Sequence, residues 1–345
     1  MNNINQKIID AVIAKAEKIC PDSLALIGVY GSVSTADTYE KSDLDLLILI
    51  QDDEGWKLSS GFILEDSQIG YDIYCTNWDS LKYDSECHHA QLSKLMDSKI
   101  VYVKNPKAYD ELCRLRKHTK KFLQSEERFE RVHELIDKAK IAYADSYLHE
   151  ELGQVRLDAY VIIHNLLDAI MLYHRTYFKR GVKRTFKELA TLPIEDVFTN
   201  TLQGIAVSKN ILELRVLLKE LLLYVEKHTQ EEKHLEEPSN NLSGTYEEMY
   251  SNWRNKVEEA ASNKDTYSSF MNMCSLHYML SDISVKTNIG TYNIMEKYDP
   301  DNLENNIQIY DKYLEQYENE YRKAGINVKR FSNVNEFVSD YLDNE

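Results

Sequence analysis

Proline and glycine are scarce, at 5 and 11 of 345 residues, against average usage of about 5% and 7%. So little turn-forming material argues against a chain built mainly of short strands, and long uninterrupted helices are expected instead. Cysteine is sparse too. Cys20, Cys75, Cys87, Cys113 and Cys274 are odd in number and show no C-x-x-C spacing, which argues against a disulfide framework or a structural zinc site and favours a reducing compartment. No run approaches the ~18 apolar residues of a membrane span, and Met1–Cys20 is broken up by Asn, Gln, Lys, Asp and Glu, unlike a signal peptide. A soluble, cytoplasmic protein with no membrane partner is expected. Basic charge is short as well: 41 Lys and Arg against 57 Asp and Glu leave −16. Nucleic-acid binding draws on a basic face, so no nucleic-acid partner is expected. The acidity serves solubility in its plainest reading and would also attract cationic ligands.

Several chemistries lack their motifs. There is no G-x-x-x-x-G-K-[ST], no G-x-G-x-x-G after a strand, no H-E-x-x-H and no G-x-S-x-G, which disfavours a P-loop kinase, a Rossmann dehydrogenase and a standard zinc protease.

What is present falls into two textures. Ile4, Ile8, Val12, Ile13 and Ile19 carry a helical period that Pro21 ends. Leu24–Tyr30, Asp43–Ile50 and Ile69–Cys75 are short apolar runs that read as strands, the second so continuously apolar that both its faces should be covered, as in an α/β layer. Beyond about Glu86, apart from Ile100–Val103, helical spacing takes over in Leu112–Leu123, Arg128–Leu148, Leu157–Phe178, Ile211–Val225, Tyr246–Ala261 and Leu303–Arg322. Polar Glu231–Asn241 reads as a loop or break, and Asp301 and Gly325 as the cap and terminator of the last long helix. The expected architecture is an N-terminal α/β (α+β) domain with a small mixed sheet, residues 1–105, followed by an all-α domain, 106–345. Twenty-four tyrosines at helical spacing are expected to be core more often than ligand cleft.

The chemistry concentrates in Val29–Leu49. A strand ends in Gly31-Ser32, and after the ten residues Val33–Ser42 a second opens with Asp43-Leu44-Asp45. Side chains two apart on a strand share a face, so Asp43 and Asp45 would project together while Leu44 enters the core. Two carboxylates suit Mg²⁺ beside substrate phosphates. Gly31 lets backbone approach a phosphate chain, and Ser32 adds a hydroxyl and an N–H at an expected helix start. Asp72, in the next apolar run, would join them as a third acid, with Tyr71 and Ile73 facing the other way. Three acids together near a core are costly unless cations or hydrogen bonds compensate.

Tyr30-Gly31-Ser32, the ten-residue spacer and Asp43-Leu44-Asp45-Leu46 resemble the signature of the nucleotidyltransferase superfamily related to DNA polymerase β. With the long helical tail, the chain is most similar within it to bacterial antibiotic nucleotidyltransferases, which adenylylate aminoglycosides such as kanamycin and streptomycin. The likeness covers Leu24–Cys75 well and the remainder loosely. It implies Asp43, Asp45 and Asp72 as metal ligands for two Mg²⁺ ions, with Asp72 as ligand or general base and Glu86 as a weaker base candidate. It also implies Gly31 and Ser32 on the phosphates of ATP, and transfer of AMP to a hydroxyl of a cationic, aminoglycoside-type small molecule. The arginine that many relatives carry after Gly-Ser is missing, which leaves Lys41, the hydroxyls of Ser34 or Thr35, or the second domain to meet the phosphates. The alternatives are an antitoxin-like enzyme that adenylylates a partner protein, a class usually little longer than the strand domain, and a catalytically inactive relative.

Other features weigh less. Lys179-Arg180 and Lys183-Arg184 form the densest basic cluster, and could reach phosphates, but a solvated helix end is the preferred reading. His164, Asn165 and Asp168 read as a buried polar network. Arg128-x-x-x-x-His133 resembles a ribonuclease motif of helical toxin domains and is attributed to chance, while His88-His89 lacks metal-ligand spacing.

Overall fold

The computed structural model describes residues 3–230, 242–287 and 289–343; the expected loop at 231–241 lies outside them, as does the Lys183 side chain. The chain divides into two compact units, 1–230 and 231–345. The expected boundary after Asn105 instead marks where strands give way to helices inside the first unit. Among the described residues no helix is long and apolar enough to cross a membrane.

The first unit opens with α1 (Asn3–Ile19), then β1 (Leu24–Val29), the short α2 (Gly31–Thr35), β2 (Leu46–Ile50), β3 (Ser60–Leu64), β4 (Ile69–Ile73), β5 (Cys75–Thr76), α3 (Trp78–Ser85), α4 (Ser93–Asp97) and β6 (Lys99–Val103). A four-stranded sheet runs β5-β2-β1-β6. β1 is antiparallel to β2 and β6, and β2 is parallel to β5, so the sheet is mixed. Every residue of β1 and β2 is buried, because each strand packs on both sides. Ile27, Val29, Leu46, Ile48 and Ile50 meet Ile9, Val12 and Ala16 of α1. Leu26, Leu47 and Leu49 meet Leu81, Leu95 and the helix α5 (Pro106–Gln124) through Leu112 and Leu115. The α1 stripe is thus rotated from the expected one: Ile4 and Ile19 are exposed.

Two strand expectations need correction. Asp43, Leu44 and Asp45 precede β2 rather than opening it, although Leu44 is buried and its neighbours are not, so the alternation survives in extended backbone. β4 does not neighbour β2. It pairs with β3 in a separate two-stranded sheet, with Asp72 opposite Gly61.

After α5 the unit is helical: α6 (Arg128–Asp145), α7 (Leu152–Tyr173), α8 (Thr185–Leu189), α9 (Asp196–Val207) and α10 (Ile211–His228). They share a core of Val132, Ile162, Leu166, Phe198, Leu218 and others. Arg128 is buried, donates to Ser125 O and Tyr173 O and lies over the Phe129 ring, a packing role that accounts for it.

The second unit is built from helices 245–249, 255–263, 266–287, 303–323 and 334–343. Tyr310, Tyr313, Tyr317 and Tyr321 form one buried stripe against Met273, Leu276 and Leu280. Their hydroxyls are used: Tyr310 donates to Met249 O (2.8 Å), Tyr317 bonds Thr245 Oγ1 (2.6 Å), and Tyr321 accepts from Tyr246 N (2.8 Å). These tyrosines are core, as their spacing implies. The 303–323 helix is capped by Asn302, which accepts from Asn305 N, not by Asp301. Gly325 follows its end with φ +75°.

Candidate functional site

The site begins where β1 ends. Gly31 sits at φ +64°, and a Cβ there would stand 1.8 Å from Asp45 Oδ2 and 2.5 Å from Asp45 Cγ. Glycine is demanded twice over, by the left-handed backbone and by the carboxylate lying on it. Asp45 is fixed from both ends: its carbonyl accepts from Tyr30 N (3.1 Å), and its Oδ2 accepts from Ser32 N at a long 3.4 Å. Ser32 is buried, and its Oγ has no hydrogen-bond partner among the described residues. That leaves a hydroxyl beside Asp45 with bonding capacity to spare.

Asp43 and Asp72 line one recess of about 600 Å³, with Gly61, Phe62, Gly70 and Tyr71. Asp72 points outward between buried Tyr71 and Ile73, and Tyr71 stacks on Phe62 at 5.2 Å. A Cβ at Gly61 or Gly70 would touch nothing within 4 Å, so the face bearing Asp72 is open.

The Tyr30 phenol shows how these acids relate. Burial pushes it up to about 12, and the charges of Asp45, Asp43, Asp84 and Asp72 push in the same direction, in that order. All three acids expected from the sequence are therefore felt at one side chain, together with a fourth. Asp84, in α3, is buried; its Oδ1 meets His89 Nε2 (3.2 Å), and its Oδ2 lies 3.5 Å from Lys94 Nζ. Gln91 N donates to His89 Nδ1 (3.1 Å), which leaves the proton on Nε2, facing Asp84. Sequence reasoning missed Asp84 because in Trp78–Ser85 it looks like any acid on a charged helix.

Among the described residues no three His, Cys, Asp or Glu side chains stand close enough to hold a metal ion. The carboxylate oxygens of Asp43, Asp45 and Asp72 suit Mg²⁺ in kind, and Asp43 and Asp72 open on one recess. They fit as neighbours, not as a closed cluster.

The remaining expected residues are placed differently. Lys41 is exposed. Glu86 is exposed and paired with His88 Nε2 (3.0 Å). Thr35 Oγ1 turns back on Gly31 O (2.9 Å), and Ser34 Oγ leans toward the same carbonyl (3.4 Å). Arg180 and Arg184 are not a solvated helix end: both reach the spacer after Ser32 and contact Asp37. The buried network on α7 is Gln91 Nε2 to Asp168 Oδ1 (3.2 Å) with His164 Nδ1 3.4 Å from Asp168 Oδ2. Burial raises the Asp168 carboxyl above its usual range, against the pull of His164 and Gln91. Asn165 instead bonds Val161 O.

No protein-family model and no curated protein matches the sequence. Among solved structures, a nucleotidyltransferase-like protein from Exiguobacterium sibiricum 255-15 is similar over 64% of this chain and 74% of its own, at 17% identity and a TM-score of 0.35. A likeness so slight leaves function to the residues themselves.

Proposed function

We propose that this protein is a nucleotidyltransferase that moves AMP from ATP to a hydroxyl of a small cationic acceptor of aminoglycoside type. The observation that carries the reading is the Gly31–Asp45 contact, where a Cβ on Gly31 would stand 1.8 Å from Asp45 Oδ2, with Asp43 two residues away opening on the recess that it shares with Asp72. Carboxylates so placed suit a site where a divalent cation and a phosphate chain are handled together.

In this reading Asp43, Asp45 and Asp72 would hold Mg²⁺. The bound metal supplies Lewis acidity toward the α-phosphate and lowers the pKa of the attacking hydroxyl. Gly31 gives the Asp45 carboxylate its place, Ser32 would offer its unpartnered hydroxyl to the phosphates, and Lys41 would stand by as an exposed cation in the same spacer. Asp72 is preferred over Glu86 as the base, because it shares the recess with Asp43 while Glu86 is engaged with His88. A base so placed contributes about 10²–10⁴-fold. The net charge of −16 favours a cationic acceptor through long-range attraction.

The test is incubation with Mg²⁺ and ATP labelled at the α-phosphate, across an aminoglycoside panel and a no-acceptor control, beside Asp43→Asn. Label on a small molecule that disappears in the variant supports the reading. Label on a protein moves it to the regulatory class, and no label from a folded, ATP-binding protein refutes transfer to aminoglycosides.

A further inference from the structure

The spacer between Ser32 and Asp43 is held by cations from a distant part of the first unit. Arg184 grips Asp37 with two parallel bonds, Nε to Oδ2 (2.8 Å) and Nη2 to Oδ1 (2.7 Å). Arg180 donates from Nη2 to Asp37 O (3.2 Å) and from Nη1 to Thr35 Oγ1 (3.4 Å). Its Nε lies 3.4 Å from Asp37 Oδ2, an ion-pair distance, and that buried atom has no hydrogen-bond partner among the described residues. Lys187 adds to the positive field on Asp37, and Lys99 Nζ donates to Ser34 O (2.6 Å).

The segment presenting the arginines is braced independently of Asp37. Lys179 N and Arg180 N donate to the Glu188 carboxylate (2.7 and 2.8 Å). Gly181 takes φ +59°, with Gln91 Oε1 3.0 Å from where a Cβ would be. Two guanidiniums are thus pre-positioned around one carboxylate that satisfies Arg180 incompletely. A guanidinium fork donates to phosphate oxygens as readily as to carboxylate oxygens, and a polyphosphate brings several charges where Asp37 brings one.

We propose that Asp37 is an exchangeable counter-ion: it occupies Arg180 and Arg184 until a polyphosphate takes its place, and the exchange releases the spacer that leads into Asp43. The identity of that polyphosphate as the tail of a nucleotide rests on the function proposed above; the exchange itself does not. Anion arrival and the setting of Asp43 become one event, because the same six residues, 37–42, connect them.

The test uses inorganic tripolyphosphate, titrated calorimetrically into the full chain without Mg²⁺. Asp37→Asn removes the competing charge and should lower the dissociation constant about five- to tenfold, while Arg184→Gln should raise it at least about tenfold. A carboxylate with a purely structural role predicts the opposite, so unchanged or weaker binding by folded Asp37→Asn overturns the proposal. Hydrogen exchange at 36–42 in the wild-type chain is a second readout that needs no variant. Saturation with tripolyphosphate should accelerate it, and unchanged or slower exchange overturns the release. Transfer from ATP labelled at the α-phosphate, assayed on the same protein preparations with Mg²⁺ added and tripolyphosphate omitted, separates the two ideas. Transfer without tighter Asp37→Asn binding removes the counter-ion, whereas tighter binding without transfer keeps it and removes the reaction.

Discussion

Gly31→Ala should destabilise the first unit by an amount that depends on what stands at position 45. Two costs are readable. Alanine at φ +64° pays about 1–2 kcal/mol for left-handed backbone. Its Cβ would also meet Asp45 Oδ2 at 1.8 Å, which no rotation of an alanine relieves, so the Asp45 carboxylate must swing off and lose Ser32 N. That long bond is worth about 0.5–1 kcal/mol, and the displaced side chain adds roughly another. Gly31→Ala should therefore cost about 2–4 kcal/mol in the native background and about 1–2 in an Asp45→Gly background, a coupling of at least about 1 kcal/mol. Urea denaturation of the four proteins measures it. Of the three tryptophans, Trp56 and Trp78 lie in the first unit, and Trp253→Phe restricts the fluorescence to that unit and avoids treating two units as one transition. Equal costs in both backgrounds, within about 0.5 kcal/mol, would show that Asp45 does not rest on Gly31.

Asp43→Asn should reduce transfer by at least about 10²-fold while shifting the urea midpoint little, since Asp43 is partly exposed; loss of folding would remove it from the site. Ile48→Ala, in a strand buried on both faces, should cost about 2–5 kcal/mol by chemical denaturation. His174 and His228 share a 2.8 Å Nε2–Nε2 bond between the ends of α7 and α10, and burial, with His228 adding, lowers His174 to about 4. The unfolded chain then binds protons that the folded one refuses, so stability should fall as pH drops from about 6.5 toward 4 and level off below. After discounting for partial exposure this amounts to about 1–2 kcal/mol, and His174→Gln should flatten that slope. Asp168 behaves in the reverse sense: its raised carboxyl favours the protonated form, so Asp168→Asn should fold at least as stably at pH 7, by thermal melting.

The sheet was legible because Leu24–Val29 and Leu46–Ile50 are apolar at every other position and in between, a pattern that survives any packing detail. The helices of the first unit were legible for the same reason in their own period. β3 escaped notice because Ser60–Leu64 offers only Phe62, Ile63 and Leu64 as apolar residues, and its partner looked like a strand of the main sheet. Which strands pair is a long-range matter that local pattern does not carry. Gly31, Asp45 and Asp43 stand out by spacing, since a fixed interval between two strand ends is a local quantity. Asp37 with Arg184 does not, because 147 residues separate them and nothing in either neighbourhood names the other.

The tyrosine stripe of the second unit has a consequence in alkali. Burial, as the foremost cause, raises the phenols of Tyr310 and Tyr317 well above their ordinary value and lifts Tyr292 to about 12, while the same groups in an unfolded chain would ionise near 10. Deprotonation therefore favours the unfolded form, and each phenolate also forfeits the proton it donates, as Tyr310 does to Met249 O. The second unit should open cooperatively as pH rises past about 10. Tyrosinate absorbance from the buried stripe would then appear in a single step with the loss of helix.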